Sequence, residues 1–306
     1  MGGKREEKDG PKKEGTKDVL PCIKGGSPRD AVGTRRNAKI PKTTGSLLRQ
    51  RDKRTDNVSI GPFCVLRGPS SIGEGSVLME RVSVGTHVTM GRSNRLHPGA
   101  VVGHEPQDHG YKGAPTQTVI GDENEIREYV TIHRGTREGS RTLIGSRTLL
   151  MSGSHVAHNC TVEDGAILAN NVLLAGHVTV GAGAFLSGGV LVHQFVRIGR
   201  LALLRGGSRT SRDVPPFAIM DGTHTLRTIN RVGLRRAGFS PATIEAVERF
   251  YREWLLSAPL QRRALEALSF DLPELTEIRD FVLESRRGIC APARQRRSSR
   301  EEPPEE

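Results

Sequence analysis

The sequence predicts an all-β parallel β-helix, a prism of short strands wound in stacked coils, followed by a small α-helical domain. Three observations predict this. An aliphatic residue recurs at every sixth position from Ile60 to Leu204. Aromatic residues make up only 4% of the 306 residues while Gly numbers 36, so the interior must be filled by stacked aliphatic side chains. Beyond Asn230 the apolar spacing turns helical.

The six-residue phase is the strongest of these signals. Of the 25 positions from 60 to 204 in steps of six, 22 are Ile, Leu, Val or Met, the exceptions being Asp108, Ala114 and Glu138. Those four residue types number 71 in 306, so chance would place about six there. A period of six matches neither a helix at 3.6 nor a plain strand at 2. It matches a short strand and a corner, with one aliphatic residue per side pointing inward and Gly often next, as in Ile72-Gly73 and Val180-Gly181. Three hexads close one coil, which stacks on the next at about 4.8 Å. The period alone does not set the handedness.

The elements follow in chain order. Residues 1–57 are polar, carry 16 Lys and Arg against 8 Asp and Glu, and show no sustained period, so a largely disordered basic tail is expected. The β-helix is expected over 58–220, with loops thrown out at 103–119 and 133–143, where binding groups are naturally carried. DVPPF, Asp213 to Phe217, reads as a linker. A helical domain is expected over 221–290, with Ser240 capping one helix before Pro241 and Pro273 opening another. Residues 291–306 balance at 4 basic against 4 acidic and read as a charged tail.

Charge and cysteines exclude several function classes. The net charge of +12 would suggest nucleic acid if spread over the fold, but +8 of it lies in 1–57 and only +4 remains for 58–290, so no nucleic-acid partner is expected. Cys22, Cys64, Cys160 and Cys290 lie far apart without a CxxC pair, which argues against a zinc cluster or disulfide framework and fits a reducing cytoplasm. No apolar run approaches the roughly 18 residues of a membrane span, and no stable membrane insertion is expected.

All ten histidines fall between His87 and His224. The hexads opening at Val156, Leu174 and Val192 are each one full coil apart, so His158, His177 and His193 are expected on one side in successive coils, with His155 at the preceding corner. Imidazoles there suit proton transfer at neutral pH. Two chemistries use such a ridge: general-base acyl transfer, and a zinc-hydroxide site with three imidazoles. His104 and His109 have metal-like spacing but fall in the first loop beside Asp108, and neither metal nor cofactor is expected.

Several motifs then carry a resemblance: QDHGYKGAPT (107–116), IREYVTIHRGT (126–136), HVAHNC (155–160), LANNVLLAGHV (168–178), HQFVRIG (193–199), DVPPF and NRVGLRRAGFS (230–240). In order and without large gaps, they resemble the UDP-N-acetylglucosamine O-acyltransferases of the hexapeptide-repeat class, which begin lipid A synthesis. The resemblance implies a left-handed helix, a cytoplasmic homotrimer, and transfer of a 3-hydroxyacyl chain from acyl carrier protein to the 3-hydroxyl of the nucleotide sugar. It implies His158 as general base with Asn159 behind it, and the Gly176 amide as oxyanion donor. It assigns His133, His155, His177, His193 and Gln194 to the cleft lining, Asp108 to the substrate, and Asn230 and Arg236 to the nucleotide. The chain departs from the family pattern at Asn159, where Asp is usual, at Gly110, where a basic residue is usual, and at Val232 and Ala237, which replace Glu and Arg. A related N-acyltransferase, whose base is followed by Asn, and a catalytically silent nucleotide-sugar-binding trimer are the alternatives.

Overall fold

A computed structural model describes residues 57–257 and 260–292, together with two short strands, Leu47–Leu48 and Lys53–Arg54. The hexads form strands of two to four residues, and among the described residues three sheets of nine, eight and eleven strands result, one per face of the prism, parallel throughout except for one antiparallel pair at the end of the third. Each strand pairs with the one a full coil later, so that on the first face Val156 lies beside Leu174, Leu174 beside Val192, and Val192 beside Thr210. The second face carries Val162 and Val180, the third Leu168 and Leu186.

Parallel stacking of coil on coil places like on like, and the in-phase aliphatic residues form ladders inside the prism. Leu66, Leu96, Ile126, Leu150, Leu174 and Leu204 are all at most 1% exposed. Burying each such side chain contributes about 1.5–3 kcal/mol. Cys64 and Cys160 are buried free thiols inside this stack, and burial pushes the Cys160 thiol up to about 12.

The helix starts earlier than the expected boundary at 58. Leu47–Leu48 pairs in parallel with Val65–Leu66, and Lys53–Arg54 with Ser71–Ile72, which adds strands within the segment read as a tail. Leu48 is in the hexad phase, but Arg54 occupies the next in-phase position and hides the continuation. Residues 1–46 and 293–306 lie outside the described residues.

Both loops are shorter than expected, since strand pairing continues through Val101–His104, Gln117–Ile120, Thr131–His133 and Arg141–Ile144. Both leave the same edge, the one between the first and second faces. The core step across that edge is ordinarily a single hexad, but Val102 to Ile120 spans three hexads and Ile132 to Ile144 spans two. The loops therefore insert whole hexads, two in the first and one in the second, which is why the sequence phase runs through them unbroken.

The expectation of helix from residue 221 needs correction. Ala218–Asp221 and Thr225–Ile229 form an antiparallel hairpin that continues the third face, and Ala291–Pro292 adds to it in parallel. The Thr- and Ile-containing run 225–229 favours a half-buried strand, with Leu226 and Ile229 buried. Among the described residues four α-helices follow: α1 (Arg231–Arg236), α2 (Pro241–Phe250), α3 (Arg262–Glu266) and α4 (Pro273–Glu284). Ser240 caps α2 as expected, its hydroxyl accepting from Thr243 N–H at 3.1 Å, and Pro273 opens α4. The buried Asp213 ties this region to the prism: its carboxylate accepts from Arg197 N–H at 2.8 Å and from the Ser285 hydroxyl at 2.7 Å.

Candidate active site on the loop-bearing edge

The edge that carries both loops also carries His158. After the strand His155–Val156 the chain turns through Ala157, His158 and Asn159 onto the second face, and the next two coils turn through Gly176-His177 and Gln194-Phe195. The third corner residue is left-handed each time, with φ of 61° at Asn159, 62° at His177 and 66° at Phe195. That backbone costs a non-Gly residue about 1 kcal/mol and is best tolerated by Asn.

Asn159 settles the tautomer of His158. Its Oδ1 lies 3.2 Å from Thr136 N and 2.9 Å from Thr136 Oγ1. A backbone N–H can only donate, so the atom facing it is the acceptor oxygen. His158 Nδ1 lies 3.0 Å from the same oxygen and therefore carries the hydrogen. In the neutral ring the lone pair is then on Nε2, at the opposite side of the imidazole. Asp108, from the first loop, brings its Oδ2 to 3.9 Å from that Nε2.

Gly176 lies directly beneath the ring. A Cβ at this position would fall 2.4 Å from His158 Cε1 and 2.6 Å from Nε2, so any side chain must displace the imidazole. Among the described residues the Gly176 N–H meets no acceptor, while its carbonyl accepts from Phe195 N–H at 3.1 Å. His177 packs edge-on to His158 at 5.3 Å between ring centroids and stacks on Phe195 at 4.6 Å.

A second group of imidazoles lines the first face. His104 sits beside His133 across the sheet, and His133 packs edge-on against His155 at 5.1 Å. His104 Nε2 is 2.9 Å from Ser83 Oγ, and His155 Nδ1 is 2.7 Å from Thr131 Oγ1. Burial, and then the neighbouring imidazoles, hold His133 down at about 4. Burial followed by His158 lowers His155, burial followed by Arg67 and Arg134 lowers His104, and burial followed by His158 lowers His177. These four rings are therefore neutral at physiological pH.

The expected residues are thus brought together unevenly. His158, Asn159, Gly176, His177 and Asp108 converge, and His133 and His155 adjoin them. His155 belongs to a strand rather than a corner. His193 is exposed and offset, one residue past Val192, with Nδ1 3.4 Å from Arg287 Nη2; equal spacing of hexads did not put the three histidines at equivalent positions. Gln194 is exposed beside it. Asn230 and Arg236 are elsewhere: Asn230 caps α1 by accepting from Gly233 N–H at 2.9 Å, and its amide donates to Leu201 O, at the edge between the second and third faces. His104 and His109 do not form a pair, because one ends a strand and the other lies in the loop. Sequence reasoning missed Thr136, whose place in HRGT could have suggested it, and Arg134, Phe195 and Arg287.

Two hollows flank the ridge. One of about 500 Å³ on the first face runs past His155, Leu173, Leu191, His193, Thr210 and His224. Leu173 and Leu191 are 43% and 45% exposed there, an unusual display of apolar surface. The other, about 780 Å³, lies on the second face between His177, Phe195, Arg197, Arg286 and Arg287.

A coiled prism of hexads with an imidazole-bearing edge defines a transferase of the hexapeptide class, folded as a left-handed parallel β-helix. Residues 141–176 match the bacterial transferase hexapeptide model, and residues 213–290 match the model described as UDP-N-acetylglucosamine O-acyltransferase, domain 2. An acyl-(acyl-carrier-protein) UDP-N-acetylglucosamine O-acyltransferase from Gloeothece citriformis is 43% identical over 224 residues, 72% of this chain and 75% of the relative. Its counterpart from Thermodesulfovibrio yellowstonii is 41% identical over 238 residues, 76% of this chain and 92% of the relative. Among solved structures, a UDP-N-acetylglucosamine acyltransferase from Bacteroides fragilis superposes with a TM-score of 0.77 at 38% identity, covering 81% of this chain and 98% of that one. The Arabidopsis enzyme gives 0.69 at 32% identity, covering 81% and 99%. The chain belongs to the UDP-N-acetylglucosamine O-acyltransferase family.

Proposed function

We propose that the protein transfers a 3-hydroxyacyl chain from acyl carrier protein to the 3-hydroxyl of UDP-N-acetylglucosamine, the opening step of lipid A synthesis, with His158 as general base. The observation that carries this reading is the orientation of His158: Asn159 Oδ1, itself held by Thr136, accepts from Nδ1–H, leaving Nε2 as the proton acceptor on the side facing Asp108. Nε2 takes the proton as the hydroxyl oxygen attacks the thioester carbonyl. The C–S bond then breaks, and the imidazolium returns the proton to the departing thiolate. The unpaired Gly176 N–H, next to the ring, is suited to the developing oxyanion. Asp108 contacts the acceptor sugar, and His133, His155, His177, His193 and Gln194 line the cleft. The apolar hollow past Leu173 and Leu191 takes the acyl chain.

The same reading makes the protein a homotrimer. Asn230 is held at a different edge of the prism from His158, so if it and Arg236 contact the nucleotide, they do so for a neighbouring copy's site. No helix among the described residues is long and apolar enough to cross a membrane, and the reading takes the reaction to be cytoplasmic. Incubating purified protein with UDP-N-acetylglucosamine and a series of 3-hydroxyacyl carrier proteins, with mass analysis of products, tests the reading. An O-acylated nucleotide sugar is expected; nucleotide-sugar binding without product, or acylation only of an amino-sugar analogue, would overturn it.

A further inference from the structure

The first inserted loop is anchored at its base, where Pro115 O accepts from Gly139 N–H at 3.0 Å, but its tip is tied to the molecule through one side chain. From Glu105 to Ala114 the loop bonds mainly to itself: Asp108 Oδ1 accepts from Gly110 N–H at 2.8 Å, Asp108 O accepts from Tyr111 N–H at 3.0 Å, and the Tyr111 hydroxyl donates to Ala114 O at 3.0 Å. Every hydrogen bond found between this stretch and the rest of the described residues goes to Arg134. Its Nη2 donates to the Tyr111 hydroxyl at 2.8 Å and to Glu105 Oε1 at 3.2 Å, and the guanidinium carbon lies 5.4 Å from the Tyr111 ring centroid. On its other side, Nη1 donates to Gly103 O at 3.2 Å and Thr86 Oγ1 at 3.3 Å.

Arg134 is 8% exposed, unusual for an arginine. A planar fork with five donors can bridge a strand end, a hydroxyl, a carboxylate and a ring at once, which a lysine cannot. Just beyond it in the chain, Thr136 holds the Asn159 oxygen that orients His158. One short segment thereby grips both partners of the 3.9 Å approach between Asp108 and His158. Without Arg134, Asp108 would ride on a loop tip whose hydrogen bonds are internal.

We propose that Arg134 is a positioning residue for the reaction: through Tyr111 and Glu105 it fixes the loop that presents Asp108 opposite His158 Nε2. This rests on the reading of Asp108 and His158 given above. A displacement of about 1 Å at a reacting centre costs on the order of a hundredfold in rate. Loosening the clamp therefore acts on kcat/KM without removing any group that touches substrate.

The test is a double-mutant cycle on the full trimer, with kcat, KM for UDP-N-acetylglucosamine and melting temperature measured for Asp108→Ala, Arg134→Lys, Tyr111→Phe and the two doubles carrying Asp108→Ala. Asp108→Ala is expected to lower kcat/KM about tenfold to a hundredfold, Arg134→Lys by a comparable factor, and Tyr111→Phe by less. In the Arg134→Lys background Asp108→Ala should cost little more, because a misplaced carboxylate has nothing left to lose. Tyr111→Phe changes a partly exposed loop residue, so it gives the same cycle at unchanged melting temperature if Arg134→Lys fails to fold. A costly Asp108→Ala whose effect simply multiplies with those of both clamp variants overturns the proposal while leaving the site reading intact. An Asp108→Ala enzyme with full activity overturns the reading of Asp108 and the proposal together.

Discussion

The plain coils below His158 and the loop-bearing edge beside it are built on opposite principles. In the coils from Val162 to Leu204, position is set by repetition: each aliphatic residue sits on its counterpart in the neighbouring coil, and backbone pairing with buried Val, Leu and Ile does the holding. At the edge, repetition fixes only height. Placement there comes from individual side-chain bonds, Thr136 to Asn159, Asn159 to His158, and Arg134 to Tyr111 and Glu105. Changes in the coils should therefore show in stability, and changes at the edge in turnover.

The largest effect expected on the stability side comes from the ladder. Leu174→Ala removes a fully buried rung beneath the ridge and should cost about 2–5 kcal/mol, read as a lower denaturation midpoint. A midpoint like that of the parent would mean that the ladder is not what holds the coils.

Gly176→Ala is the sharpest point of contact between the two regions, because the added methyl falls on the His158 ring. A fall of about a hundredfold or more in kcat is expected with the fold intact, as read by steady-state kinetics and circular dichroism. If turnover survives, the ring and the glycine are not packed as described.

The neutral imidazoles give the comparison a pH signature. His133, His155, His104 and His177 have folded values below their unfolded value near 6.5, so the stability they contribute is fully present above that pH. It is lost as pH falls from about 6.5 towards the value of about 4 at His133. Denaturation midpoints should drop over that window, and His133→Gln should flatten the drop.

Asn159→Asp should have the smallest effect. The carboxylate oxygen can still accept from Thr136 and from His158 Nδ1–H, so activity at neutral pH is expected to be kept or raised. The added negative charge should move the base's apparent pKa upward in the pH profile of kcat/KM.

The same contrast governs how much was legible in the sequence. Aliphatic residues in one phase from Ile60 to Leu204 gave away the prism because packing alone dictates them. Leu48 was missed because Arg54 interrupts the series, and the hairpin at 218–229 because its fragment of repeat is two strands turned back on themselves. The motif residues His158, Asn159, Gly176 and Asp108 do meet. Arg134 could not be read as a clamp, since its partners Thr86, Gly103, Glu105 and Tyr111 lie up to 48 positions away and are joined only when two loops leave the same edge. Hexad arithmetic likewise gave His193 the right face but not its offset from His177.

The most direct measurement is the turnover of His158→Ala under saturating nucleotide sugar, alongside its melting temperature, oligomeric state and nucleotide-sugar affinity. A positioned imidazole contributes about 10²- to 10⁴-fold, and His158 fills no space in the aliphatic core. The account predicts a loss of kcat of that order from a trimer that melts and binds like the parent. A His158→Ala trimer with full turnover would contradict it.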